Sequence, residues 1–206
     1  PGDHFGVWAT NVPEWVVLQF ATARIGVVLV NVNPAYRTGE LKYTLRQSEL
    51  RGLALIDTFK SSSYFDMLHE ACPEFATAVP GELRSEVFPK LQWIVSLRGN
   101  TPRGALSWDE LLDRSSDVPH GRLEEVAAGI RPDDAVNIQY TSGTTGNPKG
   151  ATLSHRNLLL NAFYAGECQR IDQMDRICIP VPLYHCFGCV LGSLCCVVHG
   201  AAMVFP

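Results

Sequence analysis

Residues 140–150 read Tyr-Thr-Ser-Gly-Thr-Thr-Gly-Asn-Pro-Lys-Gly, and this stretch organises the reading of the whole chain. Four hydroxyls (Thr141, Ser142, Thr144, Thr145) stand among Gly143 and Gly146, and Asn147-Pro148-Lys149 closes the run. Glycines let a backbone turn through positive φ and approach a ligand closely. Successive N–H groups in such a turn face one concavity and bind an anion. The hydroxyls add donors, and the Lys149 ammonium adds a point charge suited to phosphate. Residues 141–149 therefore read as a polyphosphate grip. The spacing is not that of a Walker A loop, because Pro148 follows Gly143 by five residues and Gly150, rather than Ser or Thr, follows Lys149. The alternative is a flexible Ser/Thr/Gly linker. The strand-like runs on both sides and the Pro-Lys-Gly ending weigh against it.

Outward from the loop, 135–140 is predicted as a strand that delivers the chain into the grip. Residues 150–153 return as a second strand, so the loop is a hairpin-like excursion anchored at both ends. Ser154 caps a helix from His155 to about Gly166. Residues 176–179 form a strand, after which Pro180 and Pro182 force an extended segment carrying Leu183-Tyr184-His185. Loops at the carboxyl ends of strands are where open α/β sheets bind ligands, so His185 is a candidate site residue. Position alone favours a loop histidine that satisfies backbone groups.

The first half alternates short apolar strands with helices. Gly2 to Ala9 reads as a strand. A helix follows, with Asn11 as N-cap, Pro13 in its first turn, Glu14 at the capping-box position and Gly26 as its stop. Residues 27–32 form a continuous apolar run, as in a strand covered on both faces. Thr38 opens a second helix, 53–56 is another buried strand, and a third helix around Tyr64–Ala71 ends at Pro73. From Pro73 to about Leu91 the pattern weakens and suggests a surface excursion. A strand resumes at 92–97, Ser107-Trp-Asp-Glu110 is a capping box, and 121–128 is helical. Arg131-Pro-Asp-Asp134 is a solvated connector. Trp15, Trp93 and Trp108 read as packing. The implied class is α/β, a mostly parallel sheet with helices on both faces.

With 206 residues and 46% hydrophobic content, the chain can bury a core of ordinary size, and one domain or one piece of a domain is expected. A net charge of −4 without a basic cluster gives no attraction for nucleic acid. Seven cysteines without framework spacing fit a reducing compartment. Residues 186–205 carry no formal charge over about a membrane-spanning length. However, Gly188, Gly192, Ser193, His199 and Gly200 interrupt them, and the run divides at His199-Gly200 into helix then strand. No transmembrane segment is expected. Cys186-Phe-Gly-Cys189, with Cys195, Cys196 and His199 downstream, has the form of a zinc or redox pair. The interleaved Val190, Leu191, Leu194, Val197 and Val198 favour a buried helix with small core cysteines, so no metal site is assigned. His155 and Arg156 read equally as site neighbours or exposed first-turn residues. The remaining histidines read as structural.

The loop, continued by Ala151-Thr-Leu-Ser-His-Arg-Asn157, resembles the signature of the adenylate-forming (AMP-binding) enzymes: acyl-CoA synthetases, luciferases and peptide-synthetase adenylation domains. Val32-Asn-Pro-Ala-Tyr36, Ile138-Gln-Tyr140 and Pro182-Leu-Tyr-His-Cys-Phe-Gly188 extend the match over nearly the whole chain. Within that superfamily the wider match is nearest to medium-chain acyl-CoA synthetases. The resemblance implies that 1–206 is part of a large N-terminal domain, an excised fragment lacking the leader, the rest of that domain and a C-terminal lid. It implies ATP-dependent conversion of a fatty acid to acyl-adenylate and then, with CoA as co-substrate, to the thioester. Thr141, Ser142, Gly143, Thr144, Thr145, Gly146, Asn147, Pro148 and Lys149 would hold the ATP phosphates. His185 would orient the carboxylate or neutralise charge at the α-phosphate. Mg²⁺ is expected on a ligand outside these residues. With the later motifs missing, the chain by itself is expected to be inactive. The resemblance points to mitochondria, with the cytoplasm as alternative. Competing readings are a ligase for an aryl or amino acid, a non-catalytic truncated nucleotide-binding module, and a zinc or redox protein. Oligomeric state and acyl length are not readable.

Overall fold

The computed structural model describes residues 1–141 and 148–206. In chain order its elements are β1 (His4–Trp8), α1 (Pro13–Arg24), β2 (Val28–Asn31), α2 (Thr38–Gln47), β3 (Gly52–Ile56), and the small hairpin β4 (Thr58–Phe59) and β5 (Ser62–Ser63). There follow α3 (Tyr64–Ala71), β6 (Trp93–Arg98), β7 (Leu106–Ser107), α4 (Trp108–Asp113), α5 (Arg122–Ala128), β8 (Ala135–Thr141), β9 (Lys149–Ser154) and α6 (His155–Gln169). The last part holds β10 (Arg176–Cys178), a π-helical segment Phe187–Leu194 that runs into α7 (Cys195–His199), and β11 (Ala202–Val204).

The main sheet has the order β7-β6-β3-β1-β2-β8-β9. Every neighbouring pair in it is parallel except β8–β9. From β1 the chain steps to β2 on one side, then crosses back over β1 to β3. Right-handed crossovers in opposite directions put α1 on one face of the sheet and α2 and α3 on the other. Strands covered on both faces should be apolar throughout, and every residue of β2 and β3 is buried. The expected mostly parallel sheet with helices on both faces is the fold observed. The parallel arrangement brings the loops after Trp8, Asn31, Ile56, Arg98 and Thr141 to one edge.

Two local expectations are corrected. Asn11 is not the N-cap of α1; Val12 holds that position without a side-chain cap, and the Asn11 amide is used elsewhere. Glu14 instead pairs with Arg98 at the end of β6. The stretch from Pro73 to Leu91 is irregular, as its weak pattern suggested, yet it is not a mere surface excursion. Phe75, Leu83, Phe88 and Leu91 are buried in the main core. A single anchoring side chain every few residues leaves no period to read. Other boundaries follow their signals: Gly26 (φ 68°) ends α1, Ser107 and Ser154 cap α4 and α6, and Gly200 (φ 74°) separates α7 from β11. Among the described residues, no helix is long and apolar enough to cross a membrane.

The turn after β2 is fixed from below. Trp8 and Tyr64 stack with centroids 3.8 Å apart and planes 5° from parallel. Trp8 Nε1 donates to Asn33 O (3.1 Å), and the buried Tyr64 hydroxyl donates to Pro34 O (2.6 Å). Removing that hydroxyl leaves a buried carbonyl without its donor. Tyr64→Phe is expected to lower unfolding free energy by about 1–3 kcal/mol in urea titrations, with unchanged far-UV circular dichroism.

Candidate functional site

The candidate grip is built on a hairpin at the edge of the sheet. β8 is held by β2 on one side, with Leu29, Val30 and Asn31 opposite Asn137, Ile138 and Gln139. On its other side β9 returns antiparallel, pairing Tyr140 with Gly150 and Thr141 with Lys149. Thr141 and Lys149 are thus direct cross-strand neighbours, and Thr141 Oγ1 donates to Lys149 O (3.4 Å). Both are exposed at the carboxyl end of β8. Ser142, Gly143, Thr144, Thr145, Gly146 and Asn147 lie outside the described residues. Of the predicted grip, the described members Thr141, Pro148 and Lys149 are brought together by this pairing.

The second predicted element is the segment leading to His185. Asn11, at the carboxyl end of β1, donates to Val181 O (2.9 Å) and accepts from Leu183 N–H (2.8 Å). Asn31, at the end of β2, donates to Tyr184 O (3.1 Å). These two amides hold the extended Pro180–Tyr184 segment across the same edge as the hairpin. A Cβ at Gly188 would run into Pro182 O, so the helix start after His185 can fold back on that segment only with glycine there. The His185 carbonyl accepts from Gly188 N–H (2.9 Å) and Cys189 N–H (3.1 Å), making it the first acceptor of the π-helical segment.

His185 is exposed. Its Nδ1 accepts from Phe187 N–H at 3.2 Å, which in the neutral ring leaves the proton on Nε2. The imidazole thus keeps an N–H donor free of this helix-start contact, the polarity needed to meet an anionic oxygen. The ring makes no hydrogen bond to Thr141, Pro148 or Lys149. It shares the edge with them and does not touch them.

Between grip and histidine lies a buried polar file that the sequence reading missed. Asn137 donates to Asn31 Oδ1 and Leu29 O (3.0 Å each). Asn31 donates to Cys189 Sγ (3.7 Å), Gln139 donates to the same sulfur (3.1 Å), and Gln19 of α1 donates to Cys189 O (3.0 Å). A polar residue inside the apolar run 27–32, and another in Ile138-Gln-Tyr140, was the available signal, since a buried amide needs a partner. Burial pushes the Cys189 thiol up to about 12, so it stays protonated.

Arg156 and His155, at the start of α6, have different surroundings. Arg156 forms an exposed pair with Asp133 (2.7 Å), and its guanidinium is held more basic by that hydrogen bond. His155 is half-buried, its pKa lowered by desolvation, and lines an apolar cavity of about 190 Å³ with Phe20, Leu158, Leu194 and Val198. A second cavity of about 460 Å³ opens at the carboxyl edge between Asn11, Asn33, Lys60 and Tyr184. Among the described residues, no group of three or more His, Cys, Asp or Glu side chains gathers closely enough to hold a metal ion. Cys168, Cys178 and Cys186 are exposed, whereas Cys72, Cys189, Cys195 and Cys196 are buried.

Comparison with known proteins bears on this geometry. A family model described as AMP-binding enzyme matches residues 1–206. Acyl-CoA synthetase YngI of Bacillus subtilis (strain 168) is 45% identical over 203 residues, covering 98% of this chain and 37% of that protein. The mitochondrial medium-chain acyl-CoA ligase ACSF2 of Danio rerio is 42% identical over 209 residues, covering 100% of this chain and 34% of its own length. The chain therefore spans about a third of the length of these relatives. Among solved structures, the anthranilate CoA ligase AuaEII in complex with anthranoyl-AMP superposes with a TM-score of 0.79 at 25% identity, covering 100% of this chain and 35% of that one.

The burial pattern makes a direct prediction for thiol chemistry. In the folded protein at pH 8, a disulfide reagent should react quickly with Cys168, Cys178 and Cys186. Cys72, Cys189, Cys195 and Cys196 should react only after denaturation. Rapid loss of both Cys186 and Cys189 as one oxidised pair, read by peptide mapping, would contradict this arrangement.

Proposed function

The chain belongs to the AMP-binding enzyme family, and from that premise we propose that it is the phosphate-gripping part of an acid–thiol ligase that activates a medium-chain fatty acid. The reaction has two steps. A carboxylate oxygen attacks the α-phosphorus of ATP, the bond to the bridging oxygen breaks, and pyrophosphate leaves. The thiol sulfur of CoA then attacks the acyl carbon, AMP departs, and the thiol proton passes to solvent. Activation is required because a free carboxylate has no adequate leaving group.

The observation that carries this reading is the Thr141–Lys149 pairing across β8 and β9. It puts Lys149 directly across from Thr141 at the carboxyl end of β8, which supports Lys149 as a charge placed there for an anion. Such catalysis is positioning and charge neutralisation, in which one preorganised donor contributes on the order of 10²–10³-fold in rate. Thr141 to Lys149 would hold the β- and γ-phosphates as they become pyrophosphate. His185 would present its Nε2–H to the carboxylate or to the α-phosphate, orienting an oxygen without acting as a base. Mg²⁺ is proposed to accompany ATP on a ligand beyond these residues. Medium-chain preference is supported by the names of the ACSF2 relatives. A ligase for an aryl acid is the second reading, favoured by the likeness to anthranilate CoA ligase. Mitochondrial placement follows the ACSF2 names, and the Bacillus relative keeps the cytoplasm as the alternative. We also propose that residues 1–206 form part of a large N-terminal domain and are inactive alone.

Acid-dependent exchange of labelled pyrophosphate into ATP tests the reading on the full-length protein. Octanoate should support faster exchange than benzoate, anthranilate or amino acids. Lys149→Ala and His185→Ala should each lower it, Lys149→Ala by on the order of 10²-fold. Exchange driven best by an aryl acid selects the second reading, and no exchange with any acid overturns both. The chain 1–206 alone should form no acyl-AMP.

A further inference from the structure

The main chain leaving the phosphate loop is held at three successive residues. Two of the contacts are internal to the hairpin: Thr141 Oγ1 donates to Lys149 O (3.4 Å), and Gly150 pairs across the strands with Tyr140. The third comes from another layer of the molecule. The hydroxyl of Tyr43, on α2, donates to Pro148 O at 3.1 Å across 105 positions of sequence. Proline has no N–H, so its carbonyl is the only backbone group at that position that a hydrogen bond can grasp. That carbonyl belongs to the peptide plane leading into Lys149. Fixing the plane fixes where the Lys149 Cα–Cβ bond begins.

Tyr43 stands on a braced element. Leu41, Thr44 and Leu45 are buried, the Glu40 carboxylate accepts from Arg37 N–H (3.1 Å), and Thr38 donates to Glu70 of α3 (2.7 Å). A half-buried hydroxyl on such a helix is a fixed point rather than an opportunistic contact. The nearby phenols of Tyr36 and Tyr140 are pushed up by burial and stay protonated. The hydroxyl is therefore not competed for by a neighbouring phenolate.

We propose that Tyr43 is a positioning residue for ATP, acting through Pro148 O to aim Lys149 at the polyphosphate. This rests on the function proposed above, with Lys149 as its phosphate ligand. It assigns to α2 a role in nucleotide binding that is separate from acid binding. The test is steady-state pyrophosphate exchange by the full-length protein, with Tyr43→Phe beside wild type. The ring and its packing remain in the variant, and only the donor is lost. The KM for ATP should rise roughly three- to tenfold, the span expected for one hydrogen bond. The KM for the acid and the far-UV circular dichroism should stay at wild-type values. An unchanged ATP KM, or equal rises for ATP and acid, overturns the inference while wild-type exchange leaves the functional reading standing. Absence of exchange in wild type removes both.

Discussion

The placement of the whole candidate site depends on one buried contact set, the amides of Asn31, Asn137 and Gln139 around Cys189. Asn31 is 1% exposed and Asn137 4%, positions where an amide without partners is costly. Their N–H donors are taken up by Leu29 O, Asn31 Oδ1, Tyr184 O and the Cys189 sulfur, while Asn137 Oδ1 has no partner among the described residues. Apolar packing alone would let the π-helical segment slide over the sheet. Directional bonds from two adjacent strands to one sulfur and one carbonyl give it a single register. His185 lies just before that segment, so its place at the carboxyl edge follows from partners buried beneath the segment.

The grip obeys a different constraint. A parallel sheet delivers strand ends to one edge, but a loop tethered at only one end has little definition. The antiparallel return of β9 supplies the second tether, and it turns the sequence interval 141–149 into a cross-strand pair. Tyr43 adds a hold from the opposite face of the sheet, since α2 lies across from α1. Elements on both faces thus converge on the carboxyl edge: Asn31 and Asn11 tie the histidine segment, and Tyr43 ties the outgoing limb of the loop.

Much of this was legible from local chemistry. The apolar runs 27–32 and 53–56 announced covered parallel strands, and Ser107 and Ser154 announced helix starts. The strand-like runs on either side of the glycine–hydroxyl loop announced the hairpin of β8 and β9. What escaped the sequence was long-range. Asn11 has the right residue type for a helix cap, yet its amide is drawn 170 and 172 positions away to Val181 and Leu183. Phe75, Leu83, Phe88 and Leu91 sit in the core without a period, because an irregular chain can bury single side chains in any order. Asn31 and Gln139 were visible as polar residues in apolar strands, but their shared partner, Cys189, was not. Its C-x-x-C pattern has the form of a metal or redox pair, though the interleaved apolar residues favoured a small core cysteine. Burial at 2% exposure with two amide donors fits a thiol used as a hydrogen-bond acceptor.

The central claim is that this carboxyl edge holds the phosphates of ATP while an organic acid attacks the α-phosphorus. Tracing oxygen tests it most directly. Octanoate labelled with ¹⁸O in both carboxylate oxygens, turned over with ATP and CoA by the full-length protein, should transfer one labelled oxygen to AMP and none to pyrophosphate. Label in inorganic phosphate or pyrophosphate, or AMP without label, would contradict the account.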